Sequence, residues 1–279
     1  MSTRPVTGGV GTGRSAPSGV RVLVGAAHAG PALAVTVLAG LLCVAQGLDP
    51  TTTAVLVAAV LAGQLSIGWS NDLVDRSRDR AAGRGDKPLA TADGSVALVR
   101  AACGVAVVAC LVLSFALGPA AGLVHVGCVA SAWAYNLGLK ATVWSWVPYA
   151  VSFGGLTVVV TLADGEAPPW WWPAGAALLG VGAHLLNVLP DLADDAATGV
   201  RGLPHRLGPR RIGPVAAVVL VVASVVVLVG AGPPLAVTVA VVVVVLGLAA
   251  LVVAGTGRIP FVAAVGIALV DALLLVVAR

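Results

Sequence analysis

The chain has 279 residues, of which 59% are hydrophobic and only 10% are charged, and its net charge is +4. This composition excludes an ordinary soluble domain, which needs far more polar surface to stay dispersed. It also lacks the basic surface with exposed aromatic side chains that nucleic-acid binding requires, so no nucleic-acid partner is expected. Repeated apolar runs of about 20 residues instead predict an all-α, polytopic membrane protein.

The chain begins with a polar segment and continues as one long apolar domain. Residues 1–19 are rich in Gly, Ser, Thr and Pro, which is typical of a disordered tail. They are too polar for a cleaved signal peptide, so the first apolar run is expected to remain as a helix. Residues 20–279 are predicted to form a single transmembrane domain. Its nine predicted spans cover residues 21–46, 52–70, 96–117, 119–139, 143–162, 170–189, 212–231, 233–254 and 259–278.

Lys and Arg residues fall almost entirely on one side of this arrangement. With the N-terminus inside, fifteen of the sixteen Lys and Arg side chains lie at cytoplasmic ends, and Arg279 is the exception. Cytoplasmic loops of membrane proteins carry such an excess of positive charge. The distribution therefore predicts a multi-pass protein of the cell membrane, in contact with lipid, with a cytoplasmic N-terminus and cytoplasmic polar loops.

The longest charged run, residues 71–90, follows the second span directly and reads NDLVDRSRDRAAGRGDKPLA. Its first three aspartates recur at i, i+3 and i+7, so a helix places them on one face, where they can bind a common cation. These residues are Asp72, Asp75 and Asp79. Arg84 and Lys87 come next, before a proline that is expected to end helical structure. The run thus predicts an acidic helix face followed by a basic turn.

A second polar loop follows the sixth predicted span and has the same order of groups. Asn187, Asp191 and Asp195 are spaced i, i+4 and i+8, again on one helix face, with Pro190 expected to kink the helix between them. Asp194 is one position off this face. Basic residues then follow the acids; they are Arg201, His205 and Arg206.

Both loops lie on the same predicted side, so we interpret them as two halves of one site. A single charged loop is often only a solvated surface, but the repeated facial spacing favours a site. Carboxylate and amide oxygens suit Mg²⁺, which commonly bridges to substrate phosphates. The predicted metal ligands are the five aspartates with Asn71 and Asn187. Basic and amide side chains would meet the oxygens of a diphosphate. The predicted diphosphate ligands are Arg84, Lys87, Lys140, Arg201, Asn71 and Asn187.

These residues resemble the motifs of the UbiA superfamily of intramembrane prenyltransferases. The first motif of that family, NDxxDxxxD, is matched at 71–79, and the second, DxxxD, at 191–195. DKPLA resembles the basic-Pro-Leu element of the family, with Lys87 in the basic position. YNLGLK, at 135–140, resembles its Tyr and Lys element, and Arg201 falls on a usually basic position after the second motif.

The resemblance implies nine transmembrane helices around a central cavity that is capped on the cytoplasmic side. It further implies Mg²⁺-dependent transfer of a prenyl group from a polyprenyl diphosphate to an acceptor, usually an aromatic one. The five motif aspartates would act in catalysis, and Tyr135 would offer its ring face to an allylic cation. Trp69 and Trp133 are either its neighbours or packing residues.

Several alternatives stay open at this point. A membrane-embedded terpene cyclase of the same superfamily would use the same diphosphate site without an acceptor. An isoprenoid or lipid carrier is the alternative outside the enzymes, although carrier sites usually lie near the bilayer midplane. Asp271, well inside the last predicted span, is a hint of function because intramembrane carboxylates are costly. The prenyl chain length, the acceptor, the oligomeric state and the roles of Asp194, His205 and Asp271 are left undecided.

Overall fold

A computed structural model describes residues 19–85, 87–91 and 96–277. Apart from Gly19, the predicted tail lies outside these residues, and so does Asp86. The described residues are helical and contain no strand. The helices are α1 (Gly19–Ala26), α2 (Ala29–Gln46), α3 (Pro50–Ala81), α4 (Pro88–Thr91), α5 (Val96–Ala116), α6 (Pro119–Leu137), α7 (Val147–Ala163), α8 (Trp171–Val188), α9 (Leu192–Ala197), α10 (Leu203–Leu207), α11 (Pro209–Ala231), α12 (Leu235–Ala254) and α13 (Ile259–Val277).

Nine helices within the described part of the chain have 17 residues or more, and each overlaps one predicted span. By length and hydropathy, six stretches are long and apolar enough to cross a membrane. They belong to α2, α3, α5, α8 with its continuation, α11 and α12, whereas α7 and α13 are shorter apolar helices. The all-α, multi-pass class is therefore confirmed, and the count of nine crossings stays a prediction.

The outer surface of the bundle is apolar, as contact with lipid requires. Val105 is 70% exposed, and Val218 and Val243 are each 64% exposed, although each lies near the middle of its helix. The interior is filled by small and branched side chains, with one core around Leu56 and Val160. A second core lies where α8, α11, α12 and α13 pack together.

The first predicted span is not one helix. It breaks between α1 and α2, where His28 has φ 51° and ψ 51°, a left-handed conformation. Among the described residues, His28 is the one non-glycine residue with positive φ. The carbonyl group of Ala27 lies so close to Gly68 of α3 that a Cβ at Gly68 would collide with it. The chain turns at His28, next to this close contact with α3. The prediction of one continuous helix over residues 21–46 was therefore wrong.

Helix α3 carries the first polar motif beyond the predicted end of its span. The helix starts cleanly, because the Asp49 side chain accepts hydrogen bonds from the backbone N–H groups of Thr51 and Thr52. It then runs for 32 residues and ends before Gly83, whose φ of 66° suits glycine. Pro88 was expected to end helical structure, but it starts α4 instead.

Helices α2, α3, α6 and α7 line a cavity of about 40 Å³ inside the bundle. Its wall is mostly apolar and includes three polar side chains, Gln64, His125 and Ser152. This is far below the roughly 300–1,000 Å³ of ordinary small-molecule pockets.

Candidate functional site

The two polar motifs meet at one end of the bundle, which we call the motif face. Arg84, which follows the first motif, lies with its Nη1 atom 3.6 Å from Oδ1 of Asp191 and 3.5 Å from Oδ2 of Asp194. These contacts join segments that are separated by four long helices. The prediction that the two loops form halves of one site thus agrees with their positions.

The acids of the first motif share one face of α3 and point into the protein. Asp72 is 1% exposed and Asp75 is 8% exposed, whereas Asp79 is half-buried. Oδ1 of Asp72 accepts a hydrogen bond of 2.8 Å from Nζ of Lys87 and lies 2.9 Å from Nε2 of His28. Because an unpaired buried charge is costly, these partners allow an ionised carboxylate to stay inside.

Asp75 is held in the same way by a cation from another part of the chain. Lys140 lies in the single 3-10 turn after α6, and its Nζ donates a 2.5 Å hydrogen bond to Oδ2 of Asp75. The same nitrogen is 3.4 Å from Oδ1 of Asn71. Arg78, one turn along α3, places Nη2 2.9 Å from the other oxygen of Asp75. Both lysines of the chain therefore pair with the first motif.

The second motif lies on a broken helix rather than on one continuous face. Helix α8 ends at Val188, and a 3-10 turn at Leu189–Asp191 separates it from α9. Pro190 sits in this turn, where its missing N–H cannot continue the helical bonding. Nδ2 of Asn187, which precedes the break, donates to the Tyr149 hydroxyl at 3.2 Å. The predicted role of Asn187 as a ligand of the metal and the diphosphate stays a prediction.

The acids after the break differ in exposure. The side chains of Asp191 and Asp194 are 51% and 62% exposed, while that of Asp195 is 30% exposed. Asp195 lies close enough to Asp75 and Lys140 for their charges to act on its carboxyl group. The second motif thus contributes one carboxylate to the interior and two to the rim.

Arg201 and His205 follow the second motif and differ from each other in their surroundings. His205 lies with Nε2 4.0 Å from Oδ2 of Asp195, which is too far for a hydrogen bond. Burial lowers the pKa of His205, and the charge of Arg201 lowers it further. The imidazole is therefore neutral at neutral pH. Arg201 is exposed, and among contacts between described residues it makes no ion pair with either motif.

Tyr135 belongs to a cluster of rings together with Tyr149 and His184. The rings of Tyr135 and Tyr149 meet edge-on with centroids 5.5 Å apart, and the Tyr149 and His184 centroids are 4.7 Å apart. The charges of Asp75 and Asp195 act on Tyr135, so the ring lies close to both motifs. Both candidate tryptophans make hydrogen bonds to neighbouring helices. Nε1 of Trp69 donates to a carbonyl of α1, and Nε1 of Trp133 donates to a serine of α3.

Sequence reasoning missed two features that hold this end together. The first is His28, which gave no signal beyond being a single histidine in an apolar run. The second is Ser145, whose Oγ accepts a 3.0 Å hydrogen bond from the backbone N–H of Leu203 and lies 3.0 Å from Nε2 of His184. At the neighbouring Gly202, a Cβ would collide with the Lys140 carbonyl oxygen. The loop after the second motif is thereby fixed against the turn that carries Lys140.

The chemistry of these residues fits a hard divalent cation. In the part of the chain that the structure describes, no three carboxylate, imidazole or thiol groups converge into a ready-made metal site. The motif acids are instead paired with lysine and arginine. However, Oδ2 of Asp72 is buried and has no hydrogen-bond partner. Buried acceptors are rarely left unsatisfied, and an anionic oxygen is the ligand that Mg²⁺ prefers.

Comparison with known proteins identifies the family. The model of the UbiA prenyltransferase family matches residues 33–274, which is most of the chain. The chain belongs to the UbiA prenyltransferase family. The family resemblance read from the two motifs is thereby confirmed.

The relatives and structural neighbours agree with this assignment. The chain is 34% identical over 190 residues to the bacteriochlorophyll synthase 33 kDa chain of Cereibacter sphaeroides, and the match spans 62% of this chain but only 61% of that protein. A UbiA homologue from Archaeoglobus fulgidus bound to GPP and Mg²⁺ has a TM-score of 0.69 at 15% identity, over 92% of this chain and 97% of that one. The apo structure of a UbiA homologue from Aeropyrum pernix K1 has a TM-score of 0.72 at 17% identity, over 86% and 96% of the two chains. At such identities the two structures show the UbiA fold alone.

Proposed function

We propose that this protein is a Mg²⁺-dependent membrane prenyltransferase that moves a prenyl group from a polyprenyl diphosphate to an aromatic acceptor. The observation that carries the proposal is the meeting of two acidic motifs and at least three cations at one end of an apolar bundle. Arg84 and Lys87 come from the loop after α3, and Lys140 comes from the turn after α6. Alternating acids and bases at the border of an apolar interior suit a substrate with a charged head and a hydrocarbon tail.

The five motif aspartates, Asn71 and Asn187 would hold the metal. Mg²⁺ bound there supplies positive charge that stabilises the departing diphosphate. In the structure, each lysine of the site forms an ion pair with an aspartate. These ion pairs would change when metal and substrate bind. Once the aspartates have another counter-charge, the Nζ groups of Lys87 and Lys140 are free to donate to phosphate oxygens. Arg84 would act at the second motif in the same way.

The remaining side chains prepare the site for a reactive carbon centre. When the bond between the prenyl carbon and the diphosphate oxygen breaks, the allylic carbon becomes electron-poor, and the bonding electrons leave with the diphosphate. Tyr135 is near both motifs and presents an aromatic ring that stabilises positive charge nearby. The apolar helices behind it exclude water that would otherwise capture the allylic cation.

The orientation forms part of this proposal. Lys and Arg gather at the motif face, whereas Asp164 and Glu166 lie at the opposite end, where both accept hydrogen bonds from Gln46. By the positive-inside rule, the motif face is cytoplasmic. The solved A. fulgidus homologue bound to GPP and Mg²⁺ supports the substrate class, and the bacteriochlorophyll synthase relative supports prenyl transfer.

The test uses purified protein in lipid nanodiscs with geranyl, farnesyl and geranylgeranyl diphosphates and a panel of aromatic acceptors. We expect diphosphate release and a prenylated product with Mg²⁺, and neither after chelation. Asp72→Asn and Asp191→Asn should abolish product, whereas Glu166→Gln at the opposite end is the matched control and should not. Full turnover in excess chelator would contradict the proposal. Cyclic hydrocarbon or terpene alcohol made without acceptor would identify the cyclase alternative instead.

A further inference from the structure

The break between α1 and α2 places a histidine in a strained backbone conformation beside the first motif. His28 has φ 51° and ψ 51°, and its side chain is 38% exposed. Left-handed backbone is costly for residues with a Cβ, and glycine or asparagine adopts it more readily. Strain of this kind persists where the surroundings enforce it, and it is concentrated at functional sites. The strained backbone therefore indicates a functional role for the contacts of the His28 imidazole.

The imidazole contacts the most buried carboxylate of the site. Nε2 of His28 is 2.9 Å from Oδ1 of Asp72 and 3.1 Å from Nζ of Lys87, and it lies 3.4 Å from Nδ2 of Asn71. A carboxylate only accepts hydrogen bonds and an ammonium only donates them, so the shorter of the two contacts, that to Asp72, favours the tautomer with a proton on Nε2. Oδ1 of Asp72 thus has two donors, Lys87 and His28.

The two oxygens of Asp72 are therefore in different situations. Oδ1 has two donors, while Oδ2 is buried without a hydrogen-bond partner. Two hydrogen bonds to one oxygen fix the orientation of the whole carboxylate group. Carboxylates that bind metals are usually held in this way by a neighbouring donor, and loss of that donor weakens metal binding.

We infer that His28 is a positioning residue that holds Oδ1 of Asp72 and leaves Oδ2 available to the divalent metal. The inference rests on the proposed function, because it assigns a metal to the first motif. Lys87 cannot fill this role alone, since in the proposed reaction its Nζ moves to the phosphate oxygens. The imidazole, carried on a short side chain at the helix break, remains beside Asp72 when Lys87 leaves.

The experiment separates the ring from the backbone. His28→Gly and His28→Asn both tolerate the left-handed conformation, so neither is expected to lower the unfolding temperature appreciably. Mn²⁺ binding to the full chain in nanodiscs, without substrate, is measured from the free Mn²⁺ signal in electron paramagnetic resonance. We expect both variants to bind Mn²⁺ about 10- to 100-fold more weakly, as for other lost partners of metal ligands. Imidazole added to the Gly variant should restore part of the affinity, which a purely structural role of the ring would not produce.

Two parallel variants show which idea fails if the result differs. Glu166→Gln is the control and should bind Mn²⁺ like the unaltered protein. If Asp72→Asn abolishes binding while both His28 variants bind normally, His28 does not position Asp72 and the proposed function stands. If Asp72→Asn also binds normally, or the unaltered protein binds no Mn²⁺, the metal site itself is wrong and both ideas are overturned.

Discussion

Replacing Ser145 with alanine tests whether the motif face is held together by one buried hydroxyl. Ser145 is fully buried, and its Oγ accepts from the Leu203 backbone N–H. Its Oγ also shares a hydrogen bond of 3.0 Å with Nε2 of His184, which is fully buried as well. The Ala variant strands both partners, each at about 1–3 kcal/mol for a buried group. Because Leu203 is only half-buried, we expect a loss of about 2–4 kcal/mol in the free energy of unfolding.

The assay is equilibrium unfolding in mixed micelles of a mild and a denaturing detergent, followed by tryptophan fluorescence. Ser152→Ala is the matched control, because Ser152 of α7 donates to the backbone carbonyl of Cys128 in α6 at 3.2 Å. That carbonyl keeps its helical environment, so the control should lose less than about 1 kcal/mol. Equal losses in the two variants would refute the reasoning. Prenyl transfer by Ser145→Ala should also fall, because the Lys140 turn and the Arg201 loop lose their common attachment.

The remaining predictions concern packing, charge and metal. Gly68→Ala should destabilise the protein and raise the KM for prenyl diphosphate, because the new Cβ collides with the Ala27 carbonyl group and displaces the helix break. Gly104→Ala is the control, since there is open space around Gly104. This control variant should be neutral or stabilising in thermal unfolding. Asp271→Asn should keep full activity. An amide oxygen at this position still accepts the hydrogen bond from Ser224, and residue 271 lies about 18 Å along α13 from the first residue of that helix. Loss of turnover without loss of stability would contradict this prediction. Chelation of Mg²⁺ should abolish turnover. It should leave the unfolding temperature nearly unchanged, because the motif aspartates already pair with lysine side chains. A large drop in the unfolding temperature would argue against this pairing.

The local part of the site could be predicted from sequence. The spacing of Asp72, Asp75 and Asp79 fixes their common face once the segment is helical, because that geometry depends only on the helical repeat. The same rule does not carry over directly to the second motif. It assumes a continuous helix, and the 3-10 turn at Pro190 separates Asn187 from the acids that follow.

Other features depend on contacts that no local pattern encodes. The break at His28 goes with the close approach of Ala27 to Gly68, some forty residues away along the chain. The pairing of Lys140 with Asp75 spans 65 residues, so sequence placed both groups on the same side but could not join them. The charge distribution of loops constrains the side of the membrane on which a residue lies, and only tertiary packing selects its partner.

The length of α3 has a further consequence for the substrate. Its 32 residues extend about 48 Å, whereas the hydrocarbon layer of a bilayer is about 30 Å thick. The first motif therefore lies on the part of α3 that extends beyond the hydrocarbon layer. Helix geometry sets the distance between this motif and the lipid head groups. In the function we propose, the bond that breaks lies at the boundary between the two phases. The anionic half of the substrate stays among water and charge while the isoprenoid half never leaves the bilayer.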